Sequence, residues 1–179
     1  MVFVNGEASR LPFDDDSFDF VYTRLMLMHN QDPESIIKEM NRVCRPGGSI
    51  VSVEIDDETM VFYPYAKELS VLIRAYIEYA EAKGTDRIMG RKLYGLYKSV
   101  GIEETKVIIQ TSDYEGPYDD IPFSLKLAMG SDEGRHLVEA QLITEEQRIK
   151  SMHAIQQFCA DPDRFYSGSF MYCVGRKRA

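Results

Sequence analysis

Cysteine is scarce in this chain. Cys44, Cys159 and Cys173 are odd in number, widely spaced and without a CxxC pair. A disulfide framework and a zinc knuckle are both excluded, and a reducing compartment follows. Histidine is equally sparse: His29, His136 and His153 offer no pair at metal-ligand spacing, so no metal is expected. Basic residues are in deficit, with 21 Lys and Arg against 29 Asp and Glu, a net charge of −8 and a pI near 4.9. Phosphate binding needs a concentrated basic surface, so nucleic acid is not an expected partner. The only dense basic run, Arg176-Lys177-Arg178, reads as a solvated tail. Charges interrupt every apolar stretch before it reaches membrane-spanning length, and Met1 to Pro12 lacks the basic start and apolar block of a signal peptide. A cytoplasmic protein is expected. A glycine-rich GxGxxG segment is missing too, because Gly84, Gly90 and Gly95 are scattered and none leads a strand into a helix.

What is present is ordinary for a globular protein. The chain has 179 residues, 44% hydrophobic and 28% charged, enough for one domain with a substantial core. Val2 to Val4 read as the end of a strand, closed by Asn5 and Gly6. An acidic turn, Asp14 to Ser17, precedes a strand at Phe18 to Thr23 that is apolar on both faces, as in a covered parallel sheet. Asp32, Pro33 and Glu34 start a helix with Ile36, Ile37, Met40, Val43 and Cys44 as its apolar stripe. Pro46 and Gly47 stop it, and Ile50 to Ile55 is the next strand, which completes a βαβ unit.

Beyond that, Pro64 to Lys83 and Arg91 to Val100 read as helices ended by Gly84 and Gly101. Thr105 to Thr111 is a strand. Residues 112–165 form a helical insert with pieces at Phe123 to Met129, Glu133 to Leu142 and Glu145 to Ala160. Thr144 and Gln147 stand at capping-box spacing, and Ile149, Met152, Ile155 and Phe158 supply the buried stripe of the last helix. Ser169 to Val174 is the final strand. There are no internal repeats.

Three segments, in fixed order, resemble the small-molecule class I S-adenosylmethionine-dependent methyltransferases of the type 11/25 kind. They are Gly6-Glu7-Ala8 with Leu11-Pro12-Phe13, then Ser17-Phe18-Asp19-Phe20-Val21 running into Arg24, His29, Asp32 and Pro33, then Arg45-Pro46-Gly47-Gly48. The resemblance spans the chain, with its specificity in the first third. It implies an α/β fold, a Rossmann-like sheet ordered 3-2-1-4-5-7-6 with helices on both faces and an antiparallel seventh strand. In this chain the sheet would be incomplete: strands 4-5-7-6, the end of strand three, and a helical insert before the last strand, all within a single domain over 1–179. Strands one and two, roughly 60 residues at about 30 per βαβ unit, would be missing together with the cofactor glycine loop.

The resemblance also assigns site residues. Glu7 and Ala8 match positions that hold the adenine of S-adenosylmethionine, although Glu7 also reads as a surface turn residue. Thr23 and Arg24 lie where the family's chain passes the methionine part of the cofactor; Arg24 either pairs with a carboxylate or lies on a surface. His29 matches a position near the methyl-transfer centre and is the candidate catalytic residue, with a structural loop histidine as the alternative. The acids from Glu54 to Glu58 either touch substrate or cap the next helix. Tyr63, Tyr65, Tyr76 and Tyr79 either form a lid or pack in a core. Three functions stay open: a small-molecule methyltransferase without its glycine loop, a non-catalytic remnant that binds or self-associates, and half of a split enzyme. An open, apolar edge on strand four would favour a homodimer.

Overall fold

The computed structural model describes residues 2–115 and 121–178. In chain order the elements are β1 (Phe18–Arg24), α1 (Pro33–Val43), β2 (Cys44–Ile55), β3 (Val61–Tyr63), α2 (Lys67–Ala82), α3 (Leu93–Val100), β4 (Glu103–Glu115), α4 (Phe123–Met129), α5 (Arg135–Glu139), α6 (Glu145–Ala160) and β5 (Phe165–Arg176). They group into two compact units, one of Met1–Ile55, Met89–Gln110 and Phe170–Ala179, the other of Asp56–Ile88 and Thr111–Ser169.

In the first unit, β1, α1 and β2 form the expected βαβ arrangement, with β1 parallel to β2 and Thr23 opposite Ser52. Asp32 caps α1 by accepting from the Ser35 amide at 3.0 Å, Pro33 opens it, and Ile36, Ile37, Met40 and Val43 are buried. β5 runs antiparallel to β2, Val174 opposite Val51, and β4 pairs with β5. The order β1-β2-β5-β4 is the 4-5-7-6 run of a class I methyltransferase sheet, with its seventh strand reversed. Leu27, Ile37, Ile50, Leu93 and Cys173 sit in one core under this sheet. Burying each large aliphatic side chain contributes about 1.5–3 kcal/mol relative to exposure. α3 stops at Gly101, whose φ of +81° is the left-handed conformation glycine adopts without strain. Gly48 has a different reason: a Cβ there would meet Cys44 Sγ at 2.7 Å and the Asp19 carbonyl at 3.0 Å.

Three expectations for this unit are corrected. Residues 2–6 lie outside the sheet, and Val2 and Phe3 are 87% and 86% exposed; β propensity makes a strand only where a partner ladder exists. β1 is not covered on both faces, since Phe20 and Tyr22 are 57% and 50% exposed and stack on each other at 6.2 Å. The basic tail is not simply solvated. Lys177 exchanges backbone hydrogen bonds with Gly47 and Gly48 and sends Nζ to Asp16 at 2.7 Å, while Arg176 and Arg178 face Glu104 and Glu103. Opposite charges on the neighbouring turn and strand draw it down.

The second unit is helical. Leu69, Leu72, Leu125, Leu137, Ile155 and Phe158 form its core. α4 and α6 match their expected bounds, and both hydrogen bonds of the Thr144–Gln147 capping box are present. The piece expected over Glu133 to Leu142 is helical only as α5. α2 begins at Lys67 rather than Pro64, because Val61–Tyr63 form β3, antiparallel to β5 with Phe62 opposite Tyr166. The buried face of α6 is Arg148, Ser151, Ala154, Ile155 and Phe158, so the expected stripe is rotated and Ile149 is 55% exposed. Arg148 tolerates burial because Glu145 and the Glu133 carbonyl take its guanidinium.

Candidate functional site

The carboxyl end of β1 holds most of the expected site residues. Thr23 is buried, and its Oγ1 has no hydrogen-bond partner. A hydroxyl in that condition costs about 1–3 kcal/mol, unless a bound group completes it. Ser52, its neighbour across the ladder, is already engaged by the Tyr97 hydroxyl, which donates at 2.9 Å. Burial pushes the Tyr97 phenol above the ordinary tyrosine range, so it stays a donor. Arg24 follows with an exposed guanidinium 5.3 Å from the centre of the Phe170 ring. Among the described residues no carboxylate pairs with it.

Leu25 then takes a φ of +51°, a left-handed backbone that costs a non-glycine residue roughly 1–2 kcal/mol. Strain of this kind persists only where the surroundings over-determine it. Here the Leu25 amide donates to the Val53 carbonyl at 2.9 Å, and the next two amides, Met26 and Leu27, donate to Glu54 Oε1 at 3.0 and 2.8 Å. A short 3-10 turn, Leu27–His29, closes through the His29 amide on the Met26 carbonyl at 3.1 Å. Asn30 Nδ2 donates to the same carbonyl at 2.7 Å. His29 is thus presented, exposed, from a backbone fixed on both sides.

The other two expected residues lie upstream. Glu7 is exposed in a turn closed by the Arg10 amide on its carbonyl at 3.0 Å. Ala8 is half-buried and packs on the same core as Leu25 and Met26. The structure therefore gathers Thr23, Arg24 and His29 on one short segment, with Ala8 on the core beneath it; the Glu7 carboxylate stays at the surface. Leu11-Pro12-Phe13 docks on α1 through residues that sequence reasoning missed. Glu39 accepts from the Leu11 amide at 2.7 Å, and Arg42 donates to the carbonyls of Leu11 and Phe13 at 3.2 and 2.9 Å. Only their three-residue helical spacing signals that these two side chains could meet.

The acid run divides. Glu54 is fully buried and turned to the Leu25–His29 loop. In the second unit, Asp56 caps the turn at Asp57–Thr59 and Asp57 pairs with Arg87 at 2.7 Å. Of the tyrosines, Tyr63 and Tyr65 are exposed, Tyr76 lies 5.4 Å from the Arg87 guanidinium, and Tyr79 meets the His136 ring at 4.7 Å.

Residues 1–52 match the family model described as "Methyltransferase domain". The demethylmenaquinone methyltransferase of Bacillus subtilis is 30% identical over 115 residues, 58% of this chain and 49% of that protein. An uncharacterized methyltransferase of Schizosaccharomyces pombe is 36% identical over 90 residues, 50% of this chain and 32% of its own length. The first third of the chain is thus similar to methyltransferase domains. The chain spans half or less of the length of these curated relatives. The likeness of fold reaches beyond the matched segment: an S-adenosylmethionine-dependent methyltransferase of Thermotoga maritima superposes over 98% of this chain and 63% of its own, with a TM-score of 0.54 and 19% identity. A Bacillus halodurans structure assigned to the methyltransferases covers 97% and 70%, with a TM-score of 0.59 and 16% identity.

S-adenosylmethionine is the cofactor of the class I methyltransferases that this chain resembles. The residues at the end of β1 fit its amino-acid end: the unpartnered Thr23 hydroxyl can bond the amine or carboxylate, and the Arg24 guanidinium can face the carboxylate.

Proposed function

We propose that this chain is part of a methyltransferase that acts on a small molecule, and that the segment from Thr23 to His29 forms the methionine side of its cofactor site. The observation that carries this reading is the buried Thr23 hydroxyl without a partner, at the carboxyl end of β1. In open α/β sheets ligands bind outside the carboxyl ends of the strands, where the strand order reverses.

Bound S-adenosylmethionine supplies an electrophilic methyl group on a sulfonium. Thr23 and Arg24 would hold the amino-acid end. The Glu7 carboxylate would accept from the adenine amine, beside the Ala8 amide. His29 stands at the end of a fixed loop, where an imidazole nitrogen can accept the proton of a methyl acceptor. Orientation of the two reactants supplies much of the rate in such an in-line displacement. No GxGxxG-like loop occurs among the 179 residues. A cytoplasmic setting suits this reading, with free thiols at Cys44, Cys159 and Cys173; among the described residues no helix is long and apolar enough to cross a membrane.

A second reading has its own observation. Phe18, Phe20 and Tyr22 are exposed on β1, which ends the strand order of the sheet. A strand of this kind is a template for pairing, and a binding or self-associating module, as a homodimer through that edge, would use it. Calorimetric titration of the chain with S-adenosylhomocysteine separates the two. Micromolar binding, weakened by Arg24→Leu, is the expected result. No binding at millimolar ligand, together with a dimer in sedimentation analysis, would replace the enzyme reading with the module.

A further inference from the structure

We propose that Glu54 is the positioning residue of the candidate site, its buried carboxylate setting the backbone that presents His29. The inference deepens the methyltransferase reading and rests on it for its consequence in function. The geometry itself is independent of that reading.

Three consecutive amides, Leu25, Met26 and Leu27, turn toward the end of β2. The first meets the Val53 carbonyl, and the other two share Glu54 Oε1 at 3.0 and 2.8 Å. Successive amides directed at one anion form a nest, a concavity of fixed positive partial charge. Glu54 fills it from 27 residues away in sequence and is fully buried. A carboxylate so placed would be costly without such donors. The same bonds offset the left-handed φ of Leu25, which the chain needs in order to leave β1 and start the 3-10 turn at once. Two residues after the second bonded amide comes His29. The backbone bearing the imidazole is therefore set from β2, a rigid strand paired on both sides, rather than by the loop's own preferences.

Glu54 touches no reacting atom in this account; it acts through the loop. The chemistry asks for a charged acceptor, since hydrogen bonds to a carboxylate are roughly twice as strong as those to a neutral group. Asp at this position would fall about one methylene short. Gln keeps shape and acceptor but loses the charge.

The test uses the chain as it stands, with amide hydrogen exchange and histidine ring resonances read by NMR in Glu54→Gln and Glu54→Leu. Glu54→Gln is expected to speed exchange at Met26 and Leu27 about tenfold while Ser52 and Val174 in the neighbouring ladder keep their protection. The His29 ring resonances shift, and those of His136 and His153, in the other unit, do not. Glu54→Leu gives the same pattern more strongly or unfolds the chain, and Glu54→Gln alone then decides. Unchanged protection at Met26 and Leu27, or an unmoved His29 ring, overturns the proposal. Failure of the wild-type chain to bind S-adenosylhomocysteine would defeat the cofactor reading and leave this result standing on its own.

Discussion

Arg42 grips Glu39 with two nitrogens, Nε at 2.9 Å from Oε2 and Nη2 at 2.7 Å from Oε1. The fork does more than bridge one turn of α1. Nη1 reaches Asp15 at 2.6 Å and Nη2 also serves the Leu11 and Phe13 carbonyls, so one guanidinium fastens the segment before β1 to the helix after it. A lysine cannot reproduce that planar set of donors. Arg42→Lys is expected to destabilise the chain almost as much as Arg42→Met, read as a fall in the urea midpoint. A lysine variant with the wild-type midpoint would show that charge alone suffices.

The same pair shapes the response to acid. The Arg42 hydrogen bond, aided by the Leu11 amide and opposed by burial, holds the Glu39 carboxyl below its ordinary value of 4.5. Because the folded value is the lower one, this stabilisation is complete above the ordinary glutamate range. It drains away as pH falls through the depressed value. Acid titration of the folded state by circular dichroism should show the midpoint moving to higher pH in Arg42→Met. An unmoved midpoint would exclude Glu39 as a contributor.

Asp57 and Arg87 form a buried pair in the helical unit, Nε to Oδ2 at 2.7 Å, closed by the Asp57 amide on the Arg87 carbonyl at 3.0 Å. Burial raises the Asp57 carboxyl and Arg87 pulls it part of the way back. A raised carboxyl works in the opposite sense to Glu39, its contribution declining as pH rises from 3.8 through the folded value. Asp57→Ala strands Arg87 and is expected to cost about 3–5 kcal/mol in denaturant unfolding. Asp57→Leu combined with Arg87→Met should recover much of that loss, since the double change removes both desolvated charges.

On α6 two isoleucines six residues apart should behave differently. Ile155 is 3% exposed and Ile149 is 55% exposed. Ile155→Ala is expected to cost about 2–5 kcal/mol, whereas Ile149→Ala should stay within about 0.5 kcal/mol. Equal costs in urea unfolding would contradict the placement of this helix.

Features decided within one turn of chain were readable in the sequence. Asp32 with Pro33 and Thr144 with Gln147 announce their helices because a cap is a local bond. Features decided by a distant partner were not. β3 is three residues long and exists through Tyr166 and its neighbours on β5; Val2 to Val4 have equal β propensity and no such partner. The rotation of α6 escaped a reading that counted apolar side chains, because Arg148 and Ser151 are buried on the strength of their hydrogen bonds. At the site, the resemblance pointed to Glu7, Ala8, Thr23, Arg24 and His29; the burial of the Thr23 hydroxyl without a partner is visible only in the fold. Glu54 stood in view within an acidic run, but nothing short of the folded strand distinguishes an inward carboxylate from its neighbours.

β5 lies between β2 and β4 in the sheet, yet it follows both in the chain by many residues. A nascent chain emerging from the ribosome therefore carries two strands whose inner edges have no partner until residues 165–176 are extruded. Hydrophobic strands left open in that interval are prone to join other chains. For this protein the hazardous period is set by translation, and slow codons ahead of β5 would lengthen the time during which chaperones must shield it.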